Sequence, residues 1–161
     1  MFASATTSNA FAIDRALLAK LDPGANAIVA IDVENLIKTK LAVKQEWAAR
    51  DFARNPGREI SLPPDAKELL ISSRLDTANN MNVVWQIALL SSNVSIPIQK
   101  IAQAESGYID WIGSSQVVWA PSELYFAALN RTTLGVVYPA DRQMTARWLK
   151  ESRNSSPPND F

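Results

Sequence analysis

The stretch Ile28-Val29-Ala30-Ile31-Asp32-Val33-Glu34-Asn35 sets two carboxylates two positions apart where an apolar run ends. Acids at the end of a buried strand can hold magnesium through oxygen ligands, and the ion can then support phosphoryl transfer. The same pattern has a purely structural use. An Asp just ahead of a helix accepts hydrogen bonds from the first free amides and sits favourably at the positive helix end. Asp32 is read as such a cap. A metal centre would need further acids at later strand ends, whereas Asp76 and Asp110 stand apart, in turn and strand contexts. Ser91-Ser92 and Ser114-Ser115 have no base beside them to take a proton and read as turns, while Ser72-Ser73 falls within a strand. The five glycines are scattered and match no phosphate-cradling spacing.

Composition narrows the chemistry further. The chain has 161 residues, with 16 Lys and Arg against 16 Asp and Glu, and neither His nor Cys. Thiolate zinc sites, cysteine nucleophiles, disulfides and imidazole-dependent triads are therefore excluded. No residue is assigned a catalytic, cofactor-binding or metal-binding role, and no cofactor is expected. A balanced charge provides no broad basic field, so nucleic acid is not an expected partner. The lysines and arginines at 38, 40, 44, 50 and 54 are diluted by Glu34, Glu46 and Asp51 and read as a solvated helix face. No segment is apolar for the roughly 18–20 residues that span a bilayer. The expected partner is a protein or a small ligand.

These residues need elements to carry them. Periodicity predicts a short helix over 13–21, then a turn at Asp22-Pro23-Gly24. An apolar strand follows over 27–31, expected to be covered on both faces. A long helix over 33–54 comes next, with a bend at Thr39 allowed by the low helix propensity of Thr. Strands are expected over 69–75 and 83–90, joined as a hairpin by a polar turn. A helix over 96–104 precedes four short strands over 108–112, 116–120, 124–129 and 134–138. A last helix over 142–152 is capped from Pro139-Ala140-Asp141 and buries Trp148 and Leu149 together with Met144 or Thr145. Short turns between most strands imply antiparallel pairing. The fold class is α+β: a mostly antiparallel sheet of five to seven strands with helices packed on one face, of split β-α-β or ferredoxin-like flavour.

Trp85, Trp111 and Trp119 fall in strands and Trp47 and Trp148 on helices, where large rings fill a sheet–helix interface. A sugar- or peptide-binding platform would require two of the aromatic side chains to lie exposed and coplanar on one sheet face.

Residues 1–12 read as a flexible start or the remnant of an export signal, because Ala10-Phe11-Ala12 has the small-x-small form of a signal-peptidase site. Residues 13–152 are expected to form a single α+β domain. The end, 153–161, reads as a linker or disordered tail around Ser155-Ser156-Pro157-Pro158.

Two resemblances accompany these readings. The words "IDVEN" look like the opening motif of NYN/PIN-type nucleases, whose strand-end acid is a metal ligand. That likeness implies, as an alternative function, a metal-dependent phosphodiesterase using Asp32 and Glu34. The later Ser-Gly-Asp-x-Asp-like run of those enzymes is missing. Over most of the chain, from Leu21 to Ser152, the passages "LDPGANAIVAIDVENLIKTKLAVKQEW", "AESGYID", "PSELYFAAL" and "LGVVYPADRQMTARWLKES" resemble uncharacterised secreted proteins of planctomycete-type bacteria. This resemblance implies an exported, extracytoplasmic module at the start of a longer envelope-associated protein. It carries over no functional residue. The leading expectation is thus a non-catalytic binding or structural module.

Overall fold

The computed structural model describes residues 13–44, 47 and 65–154. The described elements, in chain order, are α1 (Arg15–Leu18), β1 (Ala27–Asp32), α2 (Val33–Leu36), α3 (Lys40–Lys44), β2 (Ala66–Asp76), β3 (Asn82–Ser92), α4 (Ile98–Ala104), β4 (Tyr108–Ile112), β5 (Ser115–Ala120), β6 (Leu124–Ala128), β7 (Thr133–Tyr138) and α5 (Arg142–Asn154). The strands form one seven-stranded sheet in the order β1-β2-β3-β7-β6-β5-β4, and every neighbouring pair is antiparallel. This is an α+β structure, as the short turns lead one to expect. It consists of two meanders, β1-β2-β3 and β4-β5-β6-β7, joined where β3 meets β7. Alternation of direction leaves β3 and β4 parallel, with α4 crossing between them. The β3-α4-β4 passage is therefore a split β-α-β unit with three strands inserted.

Cross-strand registers fix which side chains share a face, because partners in a pair point the same way. One row runs edge to edge: Ile28, Ser72, Ile87, Val137, Tyr125, Trp119, Tyr108. The next row on that face is Ala30, Leu70, Leu89, Gly135, Ala127, Val117, Asp110. Leu17 of α1 and Trp148 and Leu149 of α5 cover these rows in one core. The alternate residues, among them Leu69, Leu90, Leu134, Phe126 and Val118, build a second core with Val33 of α2 and Ile98 of α4. Helices thus lie on both faces of the sheet, not on one. The reason is in the residues: Leu69-Leu70, Leu89-Leu90 and Val117-Val118 are each buried as consecutive pairs. A strand that buries both parities requires cover on both sides.

Small side chains decide where the covering elements come closest. A Cβ on Gly135 would stand 2.2 Å from Trp148, so the missing side chain is what seats the indole on β7. A Cβ on Gly107 would stand 2.3 Å from the Trp119 carbonyl oxygen, so glycine lets the chain leave α4 hard against β5.

Three further expectations shift. The apolar strand β1 lies at the sheet edge, and Ile28 and Val29 are 56% and 52% exposed instead of covered on both faces. The long helix over 33–54 is broken within its described part: the Thr39 hydroxyl donates to the Leu36 carbonyl at 2.8 Å and accepts from the Ala42 amide at 3.3 Å, ending α2's turn and starting α3. Its continuation over 48–54 lies outside the described residues, as do 1–12 with Ala10-Phe11-Ala12 and the tail beyond 154. Finally, Ser91, Ser92 and Ser115 belong to strands β3 and β5, since backbone pairing carries these strands one or two residues past their apolar runs.

Candidate functional site

Asp32 ends β1, and its extended backbone turns straight into α2. Its Oδ1 accepts from the Asn35 backbone amide at 2.9 Å, and its Oδ2 accepts from the Asn35 side-chain amide at 2.5 Å. Both oxygens are engaged by one residue of the helix it starts, the arrangement of an N-cap. Glu34 faces Lys38 one turn on, with Oε1 2.8 Å from Nζ. The two acids of the "IDVEN" motif are thus turned to separate local tasks. A strand-end metal site of the nuclease type calls for a parallel sheet with several acids at its carboxyl edge. Here Asp32 is on the edge strand of an antiparallel sheet. Among the described residues, no group of three acids is placed to hold a metal ion.

Of the other acids singled out from the sequence, Asp76 has an equally local partner, while Asp110 has one local and one distant partner. Asp76 Oδ1 accepts from the Ala78 amide at 3.0 Å within the β2–β3 turn. Asp110 accepts from the Trp111 amide at 2.7 Å and pairs with Arg142 at the start of α5. The Trp111 N–H, with help from Arg142, holds the Asp110 carboxyl below the usual carboxylate range. Arg142 also donates to the Trp111 carbonyl at 2.7 Å, covering that stretch of the β4 edge. Asp141 repeats the Asp32 device, accepting from the Met144 amide at 2.8 Å at the start of α5. The two strand–Asp–helix segments share this device: each strand hands over to a helix through an aspartate cap.

Glu68 was not singled out by its sequence. It sits on β2 opposite Asp32 of β1 and Ser91 of β3. Only 7% of it is exposed, and its Oε2 finds no hydrogen-bond partner among the described residues. Burial, then the negative charge of Asp14, raises its pKa; Lys67 and a hydrogen bond from the Asp14 backbone N–H pull it down, and Asp32 adds the weakest upward push. The sequence signal was faint: a single acid just ahead of the apolar run that starts at Leu69.

The aromatic residues divide. Trp148 is buried, and its Nε1 donates to the Lys20 carbonyl at 2.8 Å. Tyr108 stacks against Trp119 with ring centroids 5.3 Å apart and planes tilted by 31°. Tyr108 and Trp111 are 56% and 57% exposed, but their positions on β4 differ by an odd number, so they point to opposite faces. Among the described residues, the two most exposed rings do not form a single platform.

Among the described residues, no helix is long and apolar enough to cross a membrane. Compared with known proteins, the chain matches no family model, no curated sequence and no solved structure.

Proposed function

We propose that this chain is a non-catalytic α+β module that acts by binding or as a structural part of a larger envelope-associated protein. The observation that supports this reading is the use made of the strand-end acids. Asp32, Asp110 and Asp141 spend their oxygens on helix starts, a strand edge and an arginine, and Glu34 on a neighbouring lysine. Reactive sites gather such groups around a shared point; Asp32, Glu34 and Asp141 each serve their own segment, and Asp110 ties β4 to α5. Placement outside the cytoplasm belongs to the same proposal and rests on Ala10-Phe11-Ala12 and the resemblance to secreted proteins.

The test is an assay of the purified chain against single-stranded and duplex nucleic acid and an activated phosphodiester, with magnesium or manganese, beside the Asp32→Asn variant. Turnover at the level of a metal-only blank, with no thermal shift on adding either ion, is the expected result. Hydrolysis that needs the metal and is lost in Asp32→Asn would overturn the proposal in favour of a phosphodiesterase.

A further inference from the structure

Among the described residues, the buried side-chain atoms that lack a hydrogen-bond partner are Glu68 Oε2 and Ser91 Oγ. Their residues are direct cross-strand partners on β2 and β3. The row extends to Asp32 on β1 and Thr133 on β7. This end of the sheet therefore carries a polar row, next to the rows of Leu, Val and Ile that fill the first core.

The described charged groups that face Glu68 come from three elements. Asp14 comes from the start of α1, Asp32 from the end of β1, and Lys67 from β2 itself. The partners on β3 and β7, Ser91 and Thr133, are uncharged. Neither facing aspartate is free to swing away. Asp14 Oδ1 caps α1 by accepting from the Ala16 amide at 2.8 Å, and Asp32 Oδ1 caps α2 at 2.9 Å. An ionised Glu68 thus stands, desolvated, beside two carboxylates that hold helices in place. Turning either of them away would uncap a helix. The repulsion is relieved in one of two ways: Glu68 takes a proton, or the elements carrying the aspartates move off β2. The proton is taken from solvent and returned to it, and the neutral carboxyl also gains an O–H to offer a neighbour.

We infer that Glu68 is a proton-operated clasp: protonated, it holds α1, β1 and α2 against the rest of the sheet, and ionised, it lets this N-terminal edge open. The sign follows from linkage. The docked state binds the proton more tightly than the opened one, so docking is strongest below the ordinary glutamate range. It weakens as pH rises through the higher value that Glu68 has when docked. β1 is the element through which opening would be read, because it is an edge strand paired on one side only among the described strands.

The experiment is amide hydrogen exchange of β1 and α1, corrected for intrinsic rates, from about pH 4 to about pH 8, with the Glu68 side-chain carboxyl followed by NMR. Opening of β1 is expected to rise by up to about tenfold per pH unit between the ordinary glutamate range and the raised Glu68 midpoint, the limit for a single proton, and to level off above that midpoint. Glu68→Gln is expected to remove this pH dependence and keep β1 protected at the high end. Asp32→Asn keeps a capping side chain and removes one facing charge, so it is expected to retain the transition with its midpoint moved down. Three results would overturn the inference: a Glu68 midpoint in the ordinary carboxylate range, pH-independent opening in the parent chain, or a Glu68→Gln profile that follows the parent. Should Glu68→Gln fail to fold, Asp14→Asn decides, because it removes the stronger facing charge and keeps a capping side chain: an unmoved Glu68 midpoint there refutes the clasp.

Discussion

Trp148 of α5 occupies the space that a side chain on Gly135 of β7 would need: a Cβ there would lie 2.2 Å from the ring's Cη2, 3.1 Å from Cζ3 and 3.3 Å from Cζ2. The same indole donates from Nε1 to the Lys20 carbonyl at 2.8 Å. One side chain therefore ties α5, the middle of the sheet and the segment after α1 together. Around it, Arg147 pairs with Asp22 at 3.1 Å and Lys20 donates to the Ser152 carbonyl at 3.2 Å. These contacts close the first core at this end.

Gly135→Ala is expected to destabilise the chain by about 1–3 kcal/mol through overpacking, because both the strand backbone and the buried indole resist movement. Trp148→Phe, which makes room but loses the Lys20 hydrogen bond, is expected to cost about as much on its own. The double variant is expected to fall well short of the sum, since the smaller ring accommodates the new methyl. Urea unfolding of the three variants measures this, and additive losses would show that ring and glycine do not share the space.

The row that joins Ile28 to Ile87 through Ser72 predicts opposite outcomes at its edge and its middle. Ile87 is fully buried, and Ile87→Ala is expected to cost about 2–5 kcal/mol. Ile28 is mostly exposed on the edge strand, and Ile28→Ala is expected to cost less than about 1 kcal/mol. Equal losses in thermal unfolding would mean that β1 is covered in solution, as its apolar sequence alone suggests.

That contrast marks what local sequence conveys and what it leaves out. Strand positions were legible because alternation and turn residues are local: β4 runs Tyr108–Ile112 as expected, and β5, β6 and β7 differ by a residue at their ends. The caps at Asp32 and Asp141 were legible for the same reason. The edge position of β1 was not. An unbroken apolar run reports a preference for burial, while strand order is decided by which hairpins pack together. Helices on both faces could have been read from the paired apolar residues Leu69-Leu70 and Val117-Val118, a signal masked by the assumption of one-sided cover. Glu68 was missed because its environment is assembled from three segments distant in the chain. Asp32 and Ser91 meet it only through the register of the sheet, and Asp14 through the docking of α1.

Removing Arg142 gives a pH-dependent prediction. The Trp111 amide and Arg142 hold the Asp110 carboxyl below its usual range, so this contact stabilises the fold above the unfolded carboxylate pKa of about 3.9. The contribution disappears as pH falls through the lowered folded value. Arg142→Met is expected to lower the melting temperature slightly at neutral pH and to converge with the parent in strong acid. Added salt should narrow the neutral-pH gap, because the pair is open to solvent. A gap that persists unchanged into strong acid would show that Arg142 acts through packing alone.

The central claim is that Asp32 serves the chain's own helix, and paired substitutions at that one position test it most directly. Asn caps helices about as well as Asp, whereas Ala does not. Equilibrium urea unfolding, with and without magnesium, should therefore find Asp32→Asn within about 0.5 kcal/mol of the parent and Asp32→Ala less stable by about 1 kcal/mol, with no effect of the ion on any of the three. A parent chain that gains stability from magnesium, with that gain lost equally in both variants, would contradict the account.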